Sequence, residues 1–115
     1  QQYIWHDCDP GFDDSVALTM LTAGQEMYKS KLIGVSTVGG NANLDWCTLN
    51  ARKMLHMCEH EGSHNVYPGA NRPLVRARMF AKEVHGETGL DGTTTLDKIK
   101  LPEQAPEVAK HGSAI

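Results

Sequence analysis

The chain has 115 residues, which at about 150 residues per domain leaves room for one domain and not for two. Hydrophobic residues make up 40% and charged residues 22%, an ordinary globular balance that excludes disordered, collagen-like and low-complexity classes. A formal net charge of −3 gives no reason to expect a nucleic-acid surface, and no apolar run nears the ~20 residues that cross a bilayer.

The opening residues, Gln1 to Asp7, lack the basic and apolar regions of a signal peptide. Three cysteines, Cys8, Cys47 and Cys58, form no CxxC pair. Together these features predict reduced thiols in a cytoplasmic protein. Tyr3 to His6 are β-prone and run into Asp7-Cys8-Asp9-Pro10-Gly11, a loop signal. From Asp13 the period becomes helical, with Val16, Ala17, Met20, Leu21 and Gly24 lying three or four apart on one helical face. Asp13 and Asp14 open that helix, where carboxylates suit the positive end of its dipole. Leu32 to Val38 predicts a second strand, without polar alternation, as in a strand covered on both faces.

Gly39 to Asn43 reads as a loop, followed by an amphipathic stripe at Cys47, Ala51, Met54, Leu55 and Cys58. Asn65 to Tyr67 predicts a short third strand closed by Pro68-Gly69. The order β-α-β-α-β predicts an α/β fold: a mainly parallel, Rossmann-like open sheet with flanking helices. Arg76 to Lys100 is polar, glycine-bearing and aperiodic, and reads as a functional loop or lid. Ala105 to Lys110, with Pro106 in its first turn, reads as the start of a further helix. Residues 1–115 therefore read as the N-terminal part of a single larger domain.

Asp7, Asp9, Asp13 and Asp14 crowd four acids into eight residues with no Lys or Arg among them. The loop after the first strand lies at the carboxyl edge of the sheet, where open α/β folds bind ligands. Crowded carboxylates call for a hard cation with oxygen ligands, Ca²⁺ or Mg²⁺. Gly11 permits the sharp turn that returns the second acid pair toward the first, and Pro10 stiffens it. Asp13 and Asp14 alone could be ordinary helix-start acids. An EF-hand is excluded, because the twelfth position of a loop beginning at Asp7 is Leu18 rather than Glu.

The run Asp7-Cys8-Asp9-Pro10-Gly11-Phe12-Asp13-Asp14-Ser15-Val16-Ala17-Leu18 closely resembles the N-terminal signature of the inosine-uridine-preferring nucleoside hydrolases. Thr37-Val38-Gly39-Gly40-Asn41, Asn50-Ala51, Pro73-Leu74 and His85-Gly86-Glu87-Thr88-Gly89-Leu90-Asp91-Gly92 resemble later signatures of that family, in the same order. The resemblance implies hydrolysis of the N-glycosidic bond of ribonucleosides to ribose and free base, with Ca²⁺ as cofactor. It further implies a cytoplasmic enzyme of purine and pyrimidine salvage that forms a dimer or tetramer at full length.

By the same resemblance, Asp9 binds Ca²⁺ and acts as general base on the attacking water, and Asp14 is a second Ca²⁺ ligand. Asp13 and Asn41 correspond to residues that hold the ribose hydroxyls. Asp7 corresponds to an acid that supports the loop, and His85 falls in a segment near the ribose. Ser15 and His6 depart from the family pattern, which has Ala and an aliphatic residue there. The family's remaining calcium ligands and its leaving-group histidine come from its C-terminal half, so residues 1–115 alone are expected to be inactive.

The chemistry suits the acids. Breaking an N-ribosidic bond develops positive charge on the ribose, which anions favour, while a metal positions and acidifies water. A base at Asp9 serves only at hydrogen-bond distance from that water. Two alternatives remain open: an aspartate-dependent Mg²⁺ phosphohydrolase, against which Asp13 and Asp14 would repel phosphate, and a non-catalytic metal- or ribose-binding remnant. His56, His60 and His64 beside Cys58 suggest zinc superficially, but Met57 stands where HExxH has glutamate, and a solvated helix end is the better reading. Arg72, Arg76, Arg78 and Lys82 read as a solvated flank, and His111 has no nameable partner. Trp5 and Trp46 read as core or half-buried anchors. Gly39-Gly40 is not a GxGxxG, so dinucleotide binding lacks support.

Overall fold

The computed structural model describes residues 1–58, 66–77, 79, 82–92, 98, 100 and 101. Asn65, His60, His64, Arg78, the helix start at Ala105 to Lys110 and His111 lie outside them. The elements run β1 (Gln2–Cys8), α1 (Phe12–Ala23), β2 (Ser30–Thr37), α2 (Leu44–Met57), β3 (Val66–Pro68) and the single turn α3 (Lys82–His85). The three strands form one parallel sheet in the order β1-β2-β3. The predicted α/β class and element order therefore hold, with strand ends shifted by one or two residues.

One core cluster joins the layers: Leu18 from α1, Ala51 and Leu55 from α2, and Cys8, Leu32, Val35 and Val66 from the strands. Both helices thus lie on the same face of the sheet. Along β1 the alternation is clear, with Ile4 and Cys8 turned to the core and Tyr3, Trp5 and Asp7 exposed. The register of β1 against β2 shifts between Ile4 and Trp5, pairing Ile4 with Leu32 but Trp5 with Gly34. That shift brings Trp5 over Gly34, where a Cβ would lie 2.4 Å from the indole ring.

Two expectations fail. β2 is not covered on both faces among the described residues, since Lys31 and Ile33 are exposed and Ile33 retains 53% of its surface. Its continuous apolar run reflects the register shift, which changes the inward-facing parity between Leu32 and Val35. The apolar face of α1 is also only partly the buried one, because Leu21 packs against the core but Val16 and Met20 are 60% and 65% exposed while Ser15 and Leu18 are buried. Apolar residues surround this helix, so periodicity alone could not choose a face. The small Ser15 lets the helix start sit close, and its Oγ donates to Gly11 O at 2.6 Å.

α2 follows its predicted stripe, burying Cys47, Asn50, Ala51 and Leu55. It begins at Asn43, whose side chain caps the helix by accepting from Trp46 N at 2.9 Å. Cys8, Cys47 and Cys58 are free thiols, the first two buried. No helix of the described residues is long and apolar enough to cross a membrane.

Candidate active site

Parallel pairing brings the ends of β1 and β2 together, so the loops that follow them meet at one edge. Val38 N donates to Cys8 O at 3.0 Å and carries the ladder one residue past the strands. Asp9 then turns its carboxylate toward the second loop. Asn41 grips it twice: its backbone N–H donates to Asp9 Oδ2 and its Nδ2 to Asp9 O, both at 3.0 Å. Gly40 makes this approach possible, because a Cβ there would stand 2.3 Å from Asp9 Oδ2.

Asp14, in the first turn of α1, takes the Asp9 N–H on its Oδ2 at 3.0 Å. Its other oxygen lies 3.6 Å from His6 Nε2, a buried nitrogen without a hydrogen-bond partner among the described residues. Burial raises the Asp9 carboxyl above the ordinary carboxylate range, and the Asp14 and Asp13 charges raise it further, against the lowering bond from the Asn41 backbone. Burial, together with Asp14, Asp7 and Asp9, pushes the Cys8 thiol far up, which removes thiolate chemistry from this corner.

Asp9, Asp14 and Asn41 are therefore brought together. Asp13 follows on the exposed side of the first helical turn. Asp7 is placed differently from an acid bracing the Asp9 loop. It faces the open side of the sheet and accepts from Ser36 Oγ, whose oxygen accepts from Trp5 Nε1 at 2.9 Å. That chain braces β1 against β2, and strand alternation is the physical reason for it. Trp5 also stacks on Tyr67 of β3, at 5.4 Å between ring centroids.

His85 arrives from far along the chain. Its Nδ1 accepts from Phe12 N at 3.2 Å, and its ring lies 5.4 Å from that of Phe12. A Cβ on Gly11 would fall 2.1 Å from His85 Nδ1, so glycine is required for the contact. Two residues that the sequence gives no role hold this arrangement. Asn50 of α2 donates through Nδ2 to Pro10 O at 3.1 Å and to Thr88 O at 2.6 Å. Asp91 folds the turn after α3, accepting from Glu87 N, Thr88 N and Thr88 Oγ. These bonds lower its carboxyl below the usual range. The sequence signals for Asn50 are the Asn50-Ala51 resemblance, which carries no role, and an amide set within the buried stripe of α2.

Asp9 and Asp14 present hard carboxylate oxygens at one corner, Asp9 raised by burial and further by its acidic neighbours, and such oxygens suit a divalent cation of the Ca²⁺ class. Among the described residues no third Asp, Glu, His or Cys joins them. Six to eight oxygens is the usual complement, so the pair is a partial set.

The inosine-uridine preferring nucleoside hydrolase family model matches residues 4–114. The chain is 41% identical over 95 residues to the uridine nucleosidase of Saccharomyces cerevisiae, covering 83% of this chain and 27% of that protein. It is 39% identical over 87 residues to the pyrimidine-specific ribonucleoside hydrolase RihB of Escherichia coli, covering 75% and 26%. An uncharacterized protein of Schizosaccharomyces pombe matches at 38% over 104 residues, 90% of this chain and 30% of that protein. The chain thus spans under a third of the length of the curated relatives it matches. The matched stretch runs from β1 through the acids, Asn41 and His85, and the chain belongs to the inosine-uridine preferring nucleoside hydrolase family.

Proposed function

We propose that this chain supplies the base-bearing corner of a ribonucleoside hydrolase that releases free base and ribose by attack of water on the anomeric carbon. The supporting observation is Asp9: its carboxylate is half-buried, gripped by Asn41 on one side, and raised by burial and by Asp14 and Asp13. A base with a raised affinity for protons suits removal of a proton from water at neutral pH. Asp9 takes that proton. Asp13 and the Asn41 side hold the ribose, and the acids together favour the positive charge that develops on the sugar. Asp9 and Asp14 would hold the divalent cation, Ca²⁺, which when bound supplies orientation and acidification of water. Proton delivery to the leaving base falls to residues outside this chain, so residues 1–115 by themselves do not turn over nucleosides.

The reading extends to a homo-oligomeric cytoplasmic enzyme acting in purine and pyrimidine salvage. The substrates to test are uridine and inosine, because the family is named for both and relatives carry uridine nucleosidase and pyrimidine-specific names. Base release followed by chromatography, with p-nitrophenyl phosphate as the competing substrate, separates this reading from the phosphohydrolase one. Full-length protein should release base with Ca²⁺ present and leave the phosphate ester intact. Phosphate release without base release would reverse the assignment, and neither release would leave a binding remnant.

A further inference from the structure

Asn50 has no part in the proton chemistry, yet it touches both halves of the corner. It is 4% exposed, in the middle of a helix whose other buried residues are apolar or small. An amide buried there is costly unless its donors are used, and both Nδ2 hydrogens are used. One goes to Pro10 O, between Asp9 and Gly11, and the other to Thr88 O, in the turn that follows His85. Gly89 completes the seat. Its φ of +87° favours glycine, and a Cβ would lie 2.9 Å from Pro10 O and 3.0 Å from Asn50 Nδ2. Asp91 shapes the turn from within but reaches nothing in the acid loop.

We infer that Asn50 is a positioning residue: one side-chain amide pins the His85–Asp91 turn to the Asp9–Gly11 loop and so sets where His85 stands beside the acids. The inference rests on the nucleoside hydrolase reading, in which His85 faces the ribose side of the site. Asp9 does not depend on Asn50, because Asn41 and Asp14 hold it independently. Loss of Asn50 should therefore disturb binding of the sugar more than removal of the proton.

The test uses the full-length protein and two variants. Asn50→Leu keeps the volume and removes both donors. Gly89→Ala unseats the turn from its other side and leaves α2 unchanged. In each, hydrogen exchange should rise at Phe12 N and across residues 85–91, with the β1–β2 ladder unchanged. KM for uridine or inosine should rise on the order of 10-fold, with kcat within about threefold. The double variant should be no worse than the poorer single one, because both break the same seat. An unchanged exchange rate at Phe12 and the turn, in either variant, overturns the inference. So does a fall in kcat at constant KM, the mark of a merely structural residue. If the unsubstituted protein hydrolyses no nucleoside, the functional reading fails, and the exchange data alone still decide whether Asn50 pins the turn.

Discussion

Two carboxylates, Asp9 and Asp91, accept one and two backbone N–H groups at the same corner, yet their carboxyls are shifted in opposite directions. Asp91 is exposed and surrounded by donors, two backbone N–H groups and the Thr88 hydroxyl, and its carboxyl is lowered. Asp9 is half-buried, accepts one backbone N–H, faces two further acids, and is raised. The charge at Asp91 is satisfied by the protein and organises a turn. At Asp9 the charge is held against its surroundings and is available to a proton or a cation. On the proposed reading, the contrast separates an acid that shapes a turn from one that does chemistry.

Breaking either member sharpens the contrast. The largest effect is expected at Asp9→Asn in the full-length protein, where kcat should fall by on the order of 10²–10⁴, the usual loss with a positioned base. Asp91→Asn should leave kcat within about twofold, since its role is to shape a turn. Steady-state base release from uridine and inosine reads both, and near-wild-type kcat for Asp9→Asn would remove Asp9 as the base.

Gly40→Ala comes next, because its Cβ would occupy the space of Asp9 Oδ2. Displacing the proposed base without deleting it should lower kcat by roughly 10-fold, within the loss that a misplacement of ~1 Å can cause. Unchanged turnover in that variant would mean that the Asn41 grip does not set the position of Asp9.

The smallest effects appear with pH. Between the ordinary carboxylate range and its raised value, folded Asp9 keeps a proton that the unfolded chain has released. Stability from this group therefore falls as pH rises through that window. Asp91 runs the other way: its contribution is present above the ordinary range and is lost as pH falls toward its lowered value. Thermal melts of cation-free wild type and Asp91→Asn should differ slightly near neutral pH and converge in acid. A difference that widens in acid would contradict the assignment.

Much of this corner is legible in the sequence because its parts are local. The strand-loop-helix order places Asp9, Asp13 and Asp14 at a sheet edge, and the β-α-β repeat brings Asn41 alongside. What is not legible depends on distant pairing. The outward turn of Asp7 follows from the parity of β1, which is settled only once Ile4 and Cys8 are seen to face the core. The buried face of α1 is hidden because Val16 and Met20 offer a second apolar face as good as that of Leu18. Asn50 joins two segments that neither its helix nor its neighbours announce.

The central claim is that Asp9 carries its charge at a cost to the fold and retains it for chemistry. Its most direct test is the thermal midpoint of cation-free, full-length Asp9→Asn beside wild type at neutral pH. The amide keeps an oxygen for the Asn41 N–H and removes the charge, so the variant should melt higher, by on the order of 1 °C. An equal or lower midpoint would contradict the claim that the Asp9 charge opposes folding.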